Sequence, residues 1–209
     1  RVVGGGRRLN ARCPVCESID RERLLWLYLK HRTDVLAQSL RLLHVAPEQP
    51  IRAQLQDRTN IAYLSADLDD DDVMVNMDIT RIAYPDGSFD AVICNHVLEH
   101  IIDDATAMSE LHRVLKPGGW AILQVPISLR LARTFENAAL MTPEEREMAF
   151  GQSDHVRIYA GDYAERLQRA GFAVEKFFWT REGAEFGVDG NRYGLNPDEC
   201  VHVARKPAA

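Results

Sequence analysis

The chain has 209 residues, 25 Lys and Arg against 31 Asp and Glu, a formal net charge of −6, and 46% hydrophobic and 27% charged residues. That is ordinary for a globular domain and long enough to bury one substantial core, with room for a small N-terminal appendage. The acidic balance argues against a broad nucleic-acid-binding surface. No apolar run reaches membrane-spanning length, and the N-terminus lacks a signal-peptide core, so a cytoplasmic location without a membrane partner is expected. Four cysteines are too few and too scattered for a secreted disulfide framework.

Arg1 to Arg12 is basic and Gly-rich and reads as a flexible lead-in. Cys13-Pro14-Val15-Cys16 forms a tight knuckle. Asp20 to His31 reads as a helix with an apolar stripe of Leu24, Leu25, Leu27 and Tyr28. Leu40 to Ala46 is an apolar run ending at Pro47, a buried strand, and Ile51 to Gln56 suits the helix after it. Further strands are expected at Ile61 to Ala66, Val73 to Met77 and Asp90 to Asn95, the first two closed by Asp67 and Asp78. Asp103 and Asp104 are N-cap candidates for a helix carrying Met108, Leu111 and Leu115, which Pro117-Gly118-Gly119 stops. Trp120 to Val125 is a fifth strand. Asp162 is expected to cap a helix ending near Gly171, and strands at Ala173 to Trp179 and Val201 to Ala204 complete the set. Alternating strands and helices predict a mostly parallel sheet covered on both faces. No internal repeat is visible.

The most informative stretch runs from Phe89 to Ile101. Its first half is a buried strand; its second half, Asn95-His96-Val97-Leu98-Glu99-His100, is polar where a simple fold needs only a turn. Open α/β sheets place ligands at such strand ends. A helix's length further on comes Arg113-Val114-Leu115-Lys116-Pro117-Gly118-Gly119. Together the two resemble signatures of class I S-adenosylmethionine (SAM) dependent methyltransferases with a type 11-like domain. The resemblance covers Leu40 to Arg205. It implies an α/β, Rossmann-like, mostly parallel seven-stranded sheet with helices on both faces and an antiparallel last strand. It divides the chain into an N-terminal CxxC segment and helix, 1–39, and a methyltransferase domain, 40–209.

The family implies SAM as cofactor. Asp67 is placed to grip the ribose diol, as strand-end carboxylates do in dinucleotide folds. Asp78 resembles the residue that reaches the adenine amino group, with Ile79 beside the ring. Asn95 and His96 would line the methionine side. The first-strand loop, His44-Val45-Ala46-Pro47-Glu48-Gln49-Pro50, departs from the family by lacking glycine. His44 stands where an acid is usual, and Ala46 and Glu48 stand at usual glycine positions. His44, Ala46, Pro47 and Glu48 are therefore expected to hold SAM with other groups, Glu48 replacing the lost acid toward the amino group. The alternative is a fold reused after the cofactor site decayed. Asp69 to Asp72 reads as a solvated loop rather than a metal site.

Methyl transfer from a sulfonium is an in-line displacement, and a base is needed only if the acceptor loses a proton. The candidates are His100, His155 and Tyr159, with Glu99 beside them; Glu99 and His100 read equally well as braces for the following loop. The connections Ile127 to Ala160 and Thr180 to Glu199 would form a lid, and Arg130, Arg133, Arg157 and Arg192 suit an anionic acceptor or plain surface charge.

Cys13 and Cys16 supply two of the four ligands a structural zinc requires. The segment resembles the second half of a zinc ribbon that precedes some bacterial methyltransferase domains, whose first half would lie upstream of Arg1. A ligand-free relic and a redox pair are the other readings. The expected function is methyl transfer from SAM to O or N of a small-molecule or sugar-like acceptor. The alternatives are a non-catalytic SAM-fold binding protein and an RNA methyltransferase with a truncated ribbon, the latter disfavoured by the acidic charge.

Overall fold

The computed structural model describes residues 11–208; residues 1–10 of the basic lead-in lie outside the described residues. Helix α1 (Asp20–Arg32) is followed by β1 (Leu40–Val45), α2 (Gln49–Leu55), then β2 (Ile61–Asp67), β3 (Val75–Asn76) and β4 (Phe89–Cys94) without a helix between them, then α3 (Asp104–Val114) and β5 (Leu115–Ile122). A short hairpin of β6 (Phe135–Glu136) and β7 (Arg157–Ile158) brackets α4 (Pro143–Phe150). Helix α5 (Tyr163–Arg169) then leads to β8 (Ala173–Phe177) and β9 (Val201–Arg205).

The seven-stranded sheet has the order β3-β2-β1-β4-β5-β9-β8. The first four pairings are parallel, and β9 runs antiparallel to both β5 and β8. This is the Rossmann-like sheet expected from the motifs. Both faces of the central strands are apolar, because a parallel sheet is covered on two sides. One face packs Leu43, Val45, Val92 and Leu123 against Met108, Leu111 and Leu167 of α3 and α5. The other packs Leu42, Ile93 and Val203 against Leu24, Leu27 and Tyr28 of α1 and Ile51 of α2. Helix α1 therefore shares a core with the sheet.

Helix α3 starts where expected: the Asp103 carboxylate accepts from the Thr106 amide at 3.0 Å. It passes directly into β5 at Leu115, so Lys116 to Gly119 is strand rather than turn, with a register irregularity opposite Phe89 and Ala91. Gly119 cannot carry a side chain there, since a Cβ would sit 2.9 Å from the Asp90 and Lys116 carbonyl oxygens. Asp162 does not cap α5 through its side chain; its carboxylate instead binds the amide and hydroxyl of Thr134 at 2.9 and 2.7 Å, tying β6 to the body. Among the described residues no helix is long and apolar enough to cross a membrane.

Candidate active site

The chain turns outward in opposite directions from β1 and β4, which lie side by side. In open α/β sheets the crevice at such a switch point is where ligands bind. Two non-glycine residues flank it in the left-handed region: Ala46, φ 46°, after β1, and His96, φ 56°, after β4. Each keeps its amide on the neighbouring strand, Ala46 to the Ala66 carbonyl at 2.8 Å and His96 to the Gln124 carbonyl at 2.7 Å. The missing glycine at position 46 has thus not changed the turn. At the other usual glycine position, Glu48 has φ −65°, which any residue adopts.

A continuous polar chain runs along this edge across five strands. The Tyr63 hydroxyl meets His44 Nδ1 at 2.9 Å, and His44 Nε2 meets Glu48 Oε2 at 3.0 Å. Asn95 Nδ2 donates to Glu48 Oε1 at 3.0 Å, and Asn95 Oδ1 accepts from the Gln124 amide at 3.2 Å. Gln124 closes the chain on β9, donating to the Cys200 carbonyl at 2.8 Å and accepting from the His202 amide at 2.7 Å. Burial alone would raise the Glu48 carboxyl, but its bonds to His44 and Asn95 hold it below the usual carboxylate range. The group is an anion at neutral pH. Gln124 was invisible to motif reasoning; a lone Gln closing an apolar strand was its only trace.

Asp67 and Asp78 lie on the same edge, joined through the Met77 amide, which donates to the Asp67 carbonyl at 2.7 Å. Asp67 Oδ1 accepts the amides of Asp69 and Asp70, and Asp78 Oδ1 accepts the amide and hydroxyl of Thr80. No hydrogen bond to Oδ2 of either is found among the described residues. Each carboxylate is oriented through one oxygen. Ile79 is buried beside them, and Pro47 lies half-buried beside Ala46. These groups suit the diol, adenine and ammonium of SAM. The acidic loop is no metal cluster: Asp72 is bound by Arg52 of α2 at 2.9 Å, and Asp70 accepts the Asp72 amide.

Beyond β4 the 3-10 turn Leu98–His100 carries Glu99 and His100. The strand-like segment before β7 is pinned to it, the Val156 amide donating to the Glu99 carbonyl at 2.9 Å, and this brings His155 against His100 with ring centroids 4.7 Å apart. Burial, then the nearby His100, pushes His155 below the usual imidazole range. Tyr159 does not join them. It is fully buried, its hydroxyl donates to Asp104 at 2.6 Å, and burial beside that carboxylate raises its pKa far above the usual phenol range. Arg157 is likewise inward, its guanidinium donating to the carbonyls of Leu98, Ile101 and Ile102 and to Glu136. It holds the turn rather than an anionic acceptor. The 178–200 connection starts and ends at the crevice edge but folds back on α1, where Arg23 binds the Tyr193 carbonyl at 2.7 Å.

At the knuckle, Cys16 Sγ lies 3.1 Å from the Ser18 hydroxyl, which lowers its pKa, and among the described residues the Cys13–Cys16 pair gathers no third ligand group.

Residues 32–123, from the end of α1 through β5, match the methyltransferase-domain family. These residues form a methyltransferase domain. This domain is 29% identical over 116 residues to a probable SAM-dependent methyltransferase of Mycolicibacterium smegmatis, covering 56% of this chain and 41% of that protein. It is 29% identical over 109 residues to a demethylmenaquinone methyltransferase of Streptomyces avermitilis, covering 46% and 47%. The chain thus spans less than half the length of these relatives. Among solved structures, the methyltransferase domain superposes on the Burkholderia thailandensis 1,6-didemethyltoxoflavin-N1-methyltransferase, bound to that compound and S-adenosylhomocysteine. The TM-score is 0.54, at 16% identity, over 90% of this chain and 87% of that one.

Proposed function

We propose that the domain transfers a methyl group from SAM to O or N of a small-molecule or sugar-like acceptor. The observation that carries this reading is the polar edge itself. Despite a loop without glycine, Ala46 keeps the left-handed turn, Glu48 stays an anion, and Asp67 and Asp78 each keep a carboxylate oxygen without a hydrogen-bond partner among the described residues. A decayed cofactor site has no reason to retain all four. Relatives that act on demethylmenaquinone and on a toxoflavin precursor favour a small acceptor for this chain as well.

SAM, when bound, supplies an electrophilic methyl on a sulfonium, so these residues have to hold and align rather than activate it. Glu48 faces the ammonium, Asp67 the ribose diol, and Asp78 with Ile79 the adenine, while Asn95 and His96 line the methionine side. The acceptor enters on the side of Glu99, His100 and His155, and its proton leaves there. Calorimetric titration with SAM and S-adenosylhomocysteine tests the reading. Wild type should bind both, and Asp67→Ala should bind at least tenfold more weakly, since hydrogen bonds involving a charged group contribute about 1.5–3 kcal/mol. No binding by wild type would overturn the function; equal binding by Asp67→Ala would overturn the assignment of Asp67.

A further inference from the structure

The groups at the end of β4 form more than a pair of histidines. One ligand atom each from Glu99, His100 and His155 lies within 4.8 Å of the others. Three ligands about 2 Å from one ion sit somewhat over 3 Å apart, so side-chain rotation alone closes the set. Glu99 is 2% exposed, and its Oε2 is buried without a hydrogen-bond partner among the described residues. A buried carboxylate oxygen without a donor is costly, and native proteins rarely leave one. His96 Nδ1 lies 3.3 Å from the other oxygen, Oε1, and is itself buried without a hydrogen bond among the described residues. The turn therefore holds a buried carboxylate oxygen that faces imidazole rings and is left without a donor among the described residues.

The remaining geometry is that of a ligand shell. His100 Nδ1 lies 3.3 Å from the carbonyl oxygen of Asp154 and 3.3 Å from its carboxylate. Donation from Nδ1 fixes the tautomer and leaves Nε2 as the lone-pair nitrogen, the arrangement in which metal-bound histidines are usually held. Arg157 clamps both sides of the turn, donating to the Leu98 and Ile102 carbonyls at 2.9 and 2.8 Å, so the ligands sit on a rigid backbone. Imidazole and carboxylate together suit Zn²⁺ and its first-row neighbours.

We propose that Glu99, His100 and His155 bind a divalent first-row transition-metal ion such as Zn²⁺ at the acceptor side of the crevice. Three protein ligands leave at least one coordination position open, as in catalytic rather than structural sites. That position fits an acceptor bringing its own oxygen or nitrogen ligand, a part of the inference that rests on the methyl-transfer reading.

The test is titration of chelator-stripped protein with Zn²⁺ by calorimetry and with Co²⁺ by visible absorption. It is run on wild type and on Cys13→Ser/Cys16→Ser, which removes the knuckle as a competing site. In the Cys13→Ser/Cys16→Ser protein we expect one ion per chain, without a thiolate charge-transfer band. His155→Ala and Glu99→Gln, each added to that background, should weaken binding at least tenfold. His100→Ala, at a half-exposed position, provides a variant whose fold is not at risk, and it should weaken binding as well. Loss of all metal binding in the Cys13→Ser/Cys16→Ser protein, or binding indifferent to these three substitutions, overturns the proposal. SAM titration of the same variants separates the two readings: the metal site can fail while SAM still binds, and the reverse.

Discussion

Asn95 donates from Nδ2 to Glu48 at 3.0 Å while its Oδ1 accepts from the Gln124 amide at 3.2 Å, so one side chain joins the loop after β1 to the ends of β4 and β5. Asn95 is 4% exposed, and Glu48 is kept ionised partly by this bond. Replacing Asn95 by Leu removes both bonds and leaves a buried amide and a carboxylate oxygen without partners. Each orphaned group costs about 1–3 kcal/mol. Thermal melts of Asn95→Leu should show destabilisation of that order, and SAM affinity should fall about tenfold as the Glu48 carboxyl rises. Unchanged affinity would remove Glu48 and Asn95 from the cofactor side.

Ala46 is held at φ 46° between two strands. A side chain in that region costs about 1–2 kcal/mol relative to the right-handed form, whereas glycine adopts it freely but loses about 0.5–1 kcal/mol more in unfolded-state entropy. Ala46→Gly should therefore stabilise the protein by roughly 0.5–1 kcal/mol in urea unfolding, with SAM affinity retained or improved. A destabilised Ala46→Gly would mean that the Ala46 methyl packs productively against the core.

The sheet was legible in the chain because each strand is an apolar run with a clear stop, and the site edge was legible because Asp67, Asp78 and Asn95 are those stops. The start of β5 was not. Lys116 to Gly119 looks like a turn to any local rule, yet Gly119 lets the strand pass within contact of the Asp90 carbonyl, a tertiary constraint with no local signal. The same limit hid the fates of Tyr159 and Arg157. The sequence offered Tyr159 as a candidate base and Arg157 for an anionic acceptor or as plain surface charge. However, β7 turns their side chains inward, where Asp104 and the turn's carbonyl groups claim them. Gln124 was missed for the opposite reason: its role exists only because β9 comes back antiparallel beside β5.

Arg157 is 3% exposed and ties three carbonyls of the 98–102 turn to β7, with Glu136 as its ion-pair partner at 2.9 Å. Arg157→Ala takes the donor from the Ile101 and Ile102 carbonyls, while the Leu98 carbonyl keeps the Ile101 amide and the Tyr159 hydroxyl; at about 1–3 kcal/mol for each orphaned group, the cost should be about 2–4 kcal/mol. Arg157→Lys keeps the charge but loses the planar fork, and one ammonium cannot reach all four acceptors. It should regain part of the stability without restoring the turn. Hydrogen exchange at the His100 amide, which donates to the Val97 carbonyl at 2.9 Å, reports this directly and should speed up in both variants.

His202 lies in β9 beneath Tyr163 with ring centroids 5.1 Å apart, and burial, reinforced by Lys176, pushes its pKa down to about 4 from an ordinary 6.5. Below pH 6.5 the unfolded chain binds a proton that the folded chain refuses. Stability due to this residue is therefore intact above pH 6.5 and is lost as the pH falls toward 4. At about 1.4 kcal/mol per pH unit, the loss reaches about 2 kcal/mol at pH 5 and about 3 kcal/mol near pH 4, with no further loss below. His202→Phe keeps a ring of similar size against Tyr163 and removes the titration. Urea unfolding of both proteins from pH 7.5 to 4.5 should show the wild type losing about 2.5 kcal/mol more than the variant over that range. Parallel curves would show that His202 takes up its proton in the folded state without penalty.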